Sequence, residues 1–225
     1  MLGTVADAVA DVRERVAGAC RRAGRDPSDV CIVAVSKVIE PDPIAEVVAA
    51  GITDIGVNRA QELRDKAALV PPEVRWHYLG ELQTNKVRYL DAVAFVHGLC
   101  RPAEAEALQR RAERTSRSWD AFVEVNIAGE PSKRGVAPEA LAELLDAVDA
   151  CTLVRPRGIM IVAPITQNPE DVRWVFVEAR RLRDRLRGQR PGMEGLSMGM
   201  SDDFEIAIEE GATVVRIGRA IFPRS

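Results

Sequence analysis

The chain has 225 residues and a formal net charge of −3, and its mass of 24.6 kDa allows one large α/β domain or two smaller ones. A pI near 5.6 gives no electrostatic basis for binding nucleic acid or an anionic membrane surface. No apolar run approaches the length of a membrane span, and the first residues do not form a basic-then-apolar targeting signal. We therefore expect a cytoplasmic protein that binds neither nucleic acid nor membrane.

Predicted helices and strands alternate along the whole chain. Valines recur at steps of four and three at positions 5, 9, 12 and 16, which predicts an amphipathic first helix that ends near Gly24. Strand-length apolar runs follow at 30–36, 52–57, 74–79, 92–97, 119–127, 153–162, 195–199 and 213–217. Helical patterns lie between them at 42–50, 59–69, 84–90, 101–117, 137–149, 170–188 and 202–210, with a short one after 218.

Strict alternation of strands and helices predicts a parallel sheet with right-handed crossovers. Eight such units in a chain of this length fit a compact (β/α)8 barrel with one extra N-terminal helix, formed by residues 1–225 as a single domain. A doubly wound open sheet is the alternative. The barrel is favoured because the unusual polar residues all fall at the carboxyl ends of their strands, where the active sites of such barrels lie.

Lys37 is the first of these residues. Only four of the 31 basic residues are lysines, and Lys37 ends the buried strand 30–36. Arginine cannot condense with a carbonyl, whereas a partly desolvated lysine can. Lys37 is therefore a candidate for covalent chemistry with an aldehyde, although a lysine that follows a strand is more often an ordinary surface residue.

The loops after the seventh and eighth strands have the composition of a phosphate site. Ser201 is a predicted helix N-cap, with Asp202 and Asp203 in the first turn. Gly218 lets the backbone approach a ligand closely, and Arg219 follows it. In this class of barrel the two loops most often hold a phosphate. A lysine at one strand end and a phosphate site at two others suit a ligand that is a phosphorylated aldehyde. The commonest cofactor of this kind is pyridoxal 5′-phosphate (PLP).

Motifs spread over nearly the whole chain resemble those of the pyridoxal phosphate homeostasis protein family, relatives of the N-terminal barrel of bacterial alanine racemases. The matching segments are Ala34-Val35-Ser36-Lys37, Gly56-x-Asn58-x-x-Gln61-Glu62, Trp76-His77-Tyr78-Leu79-Gly80-x-Leu82-Gln83-x-Asn85-Lys86, Val125-Asn126, Glu130-Pro131-Ser132-Lys133-x-Gly135, Gly158-Ile159-Met160, Leu196-Ser197-Met198-Gly199-Met200-Ser201-x-Asp203 and Val215-Arg216-Ile217-Gly218. The resemblance implies a PLP-binding barrel.

The resemblance also implies roles for individual residues. Lys37 would form the internal aldimine with PLP. Ser201 and the backbone around Gly218 and Arg219 would hold the phosphate. No catalytic residue and no metal ligand is implied.

Two more positions complete the implied site. Arg216 would face the pyridine nitrogen, and Asn58 would line the ring pocket. The sequence departs from the family pattern at Val57, where a glutamate is usual, and at Pro223, where a glycine is common. The first departure removes any role of that glutamate, and the second affects only the chain end.

Arg216 argues against broad amino-acid chemistry. Arginine has no acceptor, so it should keep the pyridine nitrogen unprotonated and weaken the cofactor as an electron sink. Alanine racemases compensate with a tyrosine from a second domain. The tyrosines of this chain, Tyr78 and Tyr89, both lie in its first half, and the chain ends where that domain would begin.

Other acid or base candidates are weak. His77 lies within an apolar strand, where a packed, hydrogen-bonded histidine is the usual case, and His97 beside a glycine is weaker still. Lys86 and Lys133 face either solvent or the ligand. The four cysteines are far apart, with no pairing that indicates a disulfide or a zinc site. Cys31 and Cys100 are expected to be small buried hydrophobic residues.

Three functions remain compatible with these residues. The favoured one is a carrier that binds PLP reversibly and regulates its level, with PLP-requiring apoenzymes as candidate recipients and a monomer as the expected state. The second is a PLP-dependent amino-acid racemase or related enzyme of low activity. The third is a sugar-phosphate barrel with Lys37 as an aldolase-type lysine. Glu124 is the only good acid/base candidate for it, and Asn126 rather than a lysine follows Glu124 on the same face.

Overall fold

The computed structural model describes residues 4–36 and 40–222, without the side chain of Lys66. Lys37 and Pro223, both singled out in the sequence, lie outside these described residues. Within the two ranges, every helix is too short or too polar to cross a bilayer.

Eight strands alternate with helices in the described residues. The strands are β1 (Cys31–Val35), β2 (Asp54–Val57), β3 (Arg75–Tyr78), β4 (Val93–Leu99), β5 (Trp119–Glu124), β6 (Val154–Met160), β7 (Gly195–Ser197) and β8 (Val214–Ile217). The α-helices are α1 (Val5–Arg22), α2 (Pro41–Ala49), α3 (Ala60–Lys66), α4 (Pro102–Thr115), α5 (Leu141–Asp149), α6 (Arg173–Arg187) and α7 (Phe204–Glu209). Short 3₁₀ segments lie at Pro27–Asp29, Ala67–Leu69, Thr84–Tyr89, Pro138–Ala140 and Pro169–Val172, and the helix between β3 and β4 is the 3₁₀ helix Thr84–Tyr89.

The strands form a closed barrel in which each strand pairs in parallel with the next. The ring closes where β8 lies beside β1, with Cys31 opposite Val214 and Ala34 opposite Ile217. A closed ring of eight parallel strands surrounded by helices is the (β/α)8 architecture. The predicted fold class is confirmed, and the alternative prediction of an open doubly wound sheet is wrong.

The extra N-terminal helix is present as α1. Oγ of Thr4 accepts a hydrogen bond from the backbone N–H of Asp7 at 3.1 Å, and the Asp7 carboxylate accepts one from the N–H of Thr4 at 2.9 Å. This reciprocal capping box fixes the start of the helix. The recurring valines Val9, Val12 and Val16 are buried on its inner side, and the helix packs against α2 and α7.

Three predicted helices differ from the structure. The pattern at 84–90 folds as a 3₁₀ helix, Thr84–Tyr89. The helix after β7 begins at Phe204 instead of residue 202, because the N–H of Met200 bonds Oδ1 of Asp203 at 2.6 Å and turns the chain before the helix starts. After β8 the described residues 218–222 form turns and no helix.

Two hydrophobic clusters divide the core. The larger lies between the strands and the helices, while a smaller one fills the barrel interior with Val33, Phe122, Met160 and Val214. Alternate residues of a strand face opposite sides of a sheet, so the interior also receives polar side chains. Those that are buried there are His77, His97, Glu124, Ser197 and Arg216.

Candidate functional site

The predicted site residues lie where the strands end. Lys37 follows β1 and is outside the described residues, but the preceding Ser36 donates its backbone N–H to the carbonyl of Gly56 at 3.1 Å. This bond places the end of β1 beside β2. Asn58 follows β2, and its exposed side chain makes no hydrogen bond to any residue that the structure describes.

The loops after β7 and β8 are joined to each other. Oγ of Ser201 accepts a hydrogen bond from the backbone N–H of Ala220 at 3.3 Å. The N–H of Arg216 donates to the carbonyl of Gly199 at 2.9 Å, and the exposed side chains of Arg219 and Asp202 form an ion pair. The two loops therefore form one structural unit.

Ser201 does not cap the following helix as predicted. Asp203 occupies the N-cap position of α7, and the serine lies two residues earlier in the loop. Its oxygen accepts from the N–H of Ala220 instead of a helix N–H, and its hydroxyl proton can be donated to a ligand.

Gly218 brings the loop after β8 close to the end of β1. A Cβ atom built on Gly218 would lie 3.4 Å from the carbonyl oxygen of Val35. Val35 is the last residue of β1, and Lys37 follows two positions later. The phosphate-site candidates and the candidate lysine therefore belong to adjoining strand ends.

Several donors in these loops have no partner within the described parts of the chain. They are the backbone N–H groups of Ser201, Asp202 and Arg219. A phosphate group accepts several hydrogen bonds, and unpaired backbone N–H groups with a hydroxyl are its usual partners. The residues present fit the phosphate of PLP.

Arg216 is the buried cation of the site. Its side chain donates from Nη1 to Oγ of Ser197 at 2.8 Å and from Nη2 to the carbonyl of Ile161 at 2.9 Å. Burial lowers its pKa to about 10, against the opposing charges of Asp203 and Glu124. The guanidinium is therefore charged at neutral pH and held in one orientation.

The acid/base candidates are largely engaged elsewhere. Nζ of Lys133 donates to the carbonyl of Ala163 at 2.7 Å and pairs with Glu130 at 2.8 Å. The hydroxyl of Tyr78 donates to the carbonyl of Glu81 at 3.0 Å.

Two further candidates differ in their surroundings. Lys86 is half-buried within the 3₁₀ helix Thr84–Tyr89. Glu124 is buried at the end of β5, and its pKa is raised by burial in spite of the nearby charges of Arg134 and Arg216. Glu124 is thus a buried carboxyl group near Arg216, as is Asp203.

The two histidines are in contact, which the sequence did not indicate. Nδ1 of His77 lies 3.0 Å from Nε2 of His97, and Nδ1 of His97 lies 3.0 Å from Oγ of Ser197. Nε2 of His77 lies 2.8 Å from Oδ1 of Asp54. Strand alternation would have placed these side chains inside the barrel, but only the folded structure shows which of them touch.

The thiols do not form a reactive or metal-binding group in the described residues. Cys31 and Cys100 are only half-buried, unlike the prediction, while Cys20 and Cys151 are buried. The structure places no cluster of three potential metal ligands within residues 4–36 and 40–222.

Comparison with known proteins gives consistent matches over most of the chain. The sequence model of the alanine racemase N-terminal domain family matches residues 10–224. The pyridoxal phosphate homeostasis protein of Aquifex aeolicus (strain VF5) is 44% identical over 214 residues, which covers 94% of each chain. An unknown protein from Bifidobacterium adolescentis is similar in structure, with a TM-score of 0.91, 29% identity, and coverage of 97% of this chain and 94% of that one. PipY of Synechococcus elongatus PCC7942, with PLP bound, gives a TM-score of 0.81, 35% identity, and coverage of 94% of this chain and 99% of PipY.

Proposed function

This chain belongs to the family of pyridoxal phosphate homeostasis proteins, and we propose that it binds PLP reversibly through Lys37 and regulates the level of this cofactor in the cytoplasm. The whole chain, residues 1–225, would act as one PLP-binding barrel. The observation that carries the proposal is the meeting of the loops after β7 and β8, which Ser201 joins and Gly218 brings beside the end of β1. PipY, at 35% identity, is a relative with PLP bound.

Each residue of the site has a separate task in this proposal. The amine of Lys37 would bind the aldehyde carbon of PLP covalently. Ser201 and the backbone at Gly218 and Arg219 would hold the phosphate, and Asn58 would line the ring pocket. When bound, PLP supplies a reactive aldehyde and an electron-withdrawing ring.

Arg216 supports a carrier more than an enzyme. Its guanidinium is charged and donates only, so opposite the ring nitrogen it would disfavour protonation of that nitrogen and weaken the electron sink. Tyr78 and Lys133, two groups that could move a second proton, are held by hydrogen bonds to backbone carbonyls. Relatives are named homeostasis proteins, which also favours the carrier over a PLP-dependent racemase and over a sugar-phosphate barrel.

The partners of a carrier follow from its chemistry. A protein that holds PLP reversibly can pass it to apoenzymes that require PLP, and these are the proposed recipients. We propose a monomer as the working unit, because all the site residues come from one chain.

The test is to locate the covalent bond. The purified protein should show visible absorption from bound PLP, and this band should disappear on reduction with borohydride. Mass spectrometry should then find a pyridoxyl group on Lys37.

Two variants serve as matched controls. Lys37→Arg keeps the charge but cannot bond the aldehyde, so it should lose the band, whereas Lys133→Arg should retain it. A reduced adduct on Lys86 or Lys133 with none on Lys37 would overturn the assignment. Absence of any band in the wild-type protein with added PLP would overturn the function itself.

A further inference from the structure

A continuous chain of hydrogen bonds crosses the barrel interior from Arg216 to Asp54. Nη1 of Arg216 lies 2.8 Å from Oγ of Ser197, and that oxygen lies 3.0 Å from Nδ1 of His97. Nε2 of His97 lies 3.0 Å from Nδ1 of His77, whose Nε2 lies 2.8 Å from Oδ1 of Asp54. The chain links the strands β8, β7, β4, β3 and β2.

The two ends set the direction of the hydrogen bonds that they make. Arginine only donates, so Oγ of Ser197 accepts from Arg216 and its own hydroxyl proton is available to His97. An ionised carboxylate only accepts, so His77 donates from Nε2 to Asp54. When His97 accepts the Ser197 proton at Nδ1, it donates from Nε2 to Nδ1 of His77, so that each ring carries its proton on Nε2 and accepts at Nδ1.

The surroundings of the two rings favour this arrangement. Burial lowers the pKa of His97 well below its ordinary value of 6.5, and His77 and Arg216 lower it further. Phe95 stacks on His77 with ring centroids 5.0 Å apart, and Phe122 lies 4.6 Å from the His97 centroid. These aromatic neighbours pack against the two rings in the orientation that makes the hydrogen bonds.

The charged and titratable groups that face the chain lie near its two ends. At one end, Nη2 of Arg75 lies 3.0 Å from Asp54, and burial raises the pKa of the neighbouring Cys31 thiol to about 12, which keeps it neutral. At the other end, Glu124 and Asp203 favour the charged guanidinium.

We infer that His77 and His97 are positioning residues for Arg216. Through Ser197 they hold the guanidinium in the direction in which it would face the ring nitrogen of PLP. They also tie this direction to Asp54, at the start of β2. The inference rests on the proposed function for its ligand, but the hydrogen bonds themselves can be measured without any ligand.

Asp54 gives the chain an end that is remote from the cofactor. It lines a cavity of about 560 Å³ together with Arg13, Cys31 and Arg75. Burial raises the pKa of Asp54, but the hydrogen bond from His77 and the charge of Arg75 outweigh it, so the pKa stays below its ordinary value. The carboxylate is therefore ionised at neutral pH. The hydrogen-bond chain therefore connects this cavity with Arg216 and passes through residues that would not contact the cofactor.

Nitrogen NMR of the ligand-free protein tests the direction of the hydrogen bonds between Arg216 and Asp54. The sequence contains two histidines, so His77 and His97 can be assigned without ambiguity. At neutral pH each ring should carry a proton on Nε2 and accept at Nδ1. Asp54→Asn should shift the signals of both rings. The matched control is Asp120→Asn. The Asp120 side chain is 19% exposed against 16% for Asp54, but it pairs with Arg155 and Arg157, which are not part of the hydrogen-bond chain.

Binding of PLP gives a second readout. His97→Phe keeps an aromatic ring but removes both hydrogen bonds, whereas His97→Gln keeps a donor and an acceptor. The Phe variant should bind PLP about tenfold more weakly and shift the pH midpoint of the bound cofactor's absorption band. The Gln variant should recover part of both effects. Asp54→Asn, at the end of the hydrogen-bond chain opposite Arg216, should shift the same pH midpoint. Asp120→Asn should leave it unchanged.

Each outcome separates this inference from the function on which it rests. Circular dichroism would show that the variants are folded, and Asp54→Asn carries the test if His97→Phe does not fold. An unchanged PLP affinity and midpoint in the folded variants, with normal binding by the wild type, would overturn the positioning role alone. So would wild-type rings that carry their protons on Nδ1 at neutral pH. A wild-type protein that binds no PLP would overturn both.

Discussion

Oγ of Ser201 accepts a hydrogen bond from the backbone N–H of Ala220 at 3.3 Å, across the two loops that follow β7 and β8. Because a hydroxyl can accept and donate at once, Ser201 can keep this bond and still donate its proton to an anion. The same side chain therefore joins the two loops and contributes to the proposed phosphate site.

Ser201→Ala should weaken PLP binding by roughly ten- to a hundredfold, since a hydrogen bond to a charged group contributes about 1.5–3 kcal/mol. Pyridoxal, which lacks the phosphate, is the matched ligand, and its affinity should be the same for the wild type and the variant. Both affinities can be measured by titration of the absorption of the bound aldehyde. Equal losses for PLP and pyridoxal would show that Ser201 does not contact the phosphate.

Gly199→Ala should destabilise the loop that carries Ser201. The φ angle of Gly199 is +92°, and an added Cβ would lie 2.7 Å from Cβ of Ala207. We expect a loss of more than about 1–2 kcal/mol in the free energy of unfolding, together with weaker PLP binding.

The control for this change is Gly211→Ala, where φ is +99° but the nearest atom to the added Cβ is 3.5 Å away. This variant bears the backbone strain without the close contact, so it should lose less stability and keep its PLP affinity. Chemical denaturation and PLP titration measure the two effects. Identical losses in both variants would mean that the packing of Gly199 against α7 is unimportant.

The protein should lose stability as the pH falls below about 6.5. In the folded chain the pKa of His97 is lowered from 6.5, first by burial and then by His77 and Arg216. The unfolded chain therefore binds a proton that the folded chain does not, and the free energy of unfolding falls by up to about 1.4 kcal/mol per pH unit. Asp54, whose pKa is also lowered, adds a further loss only below its ordinary value of 3.8.

Denaturant unfolding between about pH 7.5 and about pH 5 tests this slope. His97→Phe lacks the titrating ring, so its stability should change less over the same range, whatever its absolute value. A wild-type slope no steeper than that of the variant would contradict the burial of a neutral His97.

The protein loaded with PLP should exchange the α-proton of free amino acids slowly. The charged Arg216 limits carbanion stabilisation, and Tyr78 and Lys133 are held by backbone carbonyls. A missing acid or base partner costs about 10²–10⁴-fold. Incubation with alanine and serine in deuterated water, followed by mass spectrometry, measures the exchange. Rates of about 1–10³ per second, typical of enzymes, would make the protein an enzyme.

The barrel could be predicted from the sequence because its signals are local. Strand-length apolar runs alternate with helical patterns, and each of the eight predicted strands exists in the structure. The loop at Ser201 could not be predicted in detail. A serine followed by two aspartates is typical of a helix start, but the hydrogen bond from Met200 to Asp203 and the positive φ of Gly199 delay the helix to Phe204.

The hydrogen bonds inside the barrel show a different limit of prediction from the sequence. His77 and His97 are 20 positions apart, and His97 and Ser197 are 100 apart. Strand alternation predicts that each faces the interior, but the heights at which neighbouring strands pair decide which side chains meet. That pairing includes irregular register between β3 and β4, which no local pattern in the sequence indicates.

The closed ring of strands also affects how this protein can meet other molecules. In the described residues every strand pairs with a neighbour on both sides, so no strand offers a free row of backbone N–H and C=O groups. An incoming chain cannot extend the sheet, and growth of the sheet into fibrils from a folded molecule is prevented for the same reason. A partner protein must therefore dock on the helices and loops around the barrel.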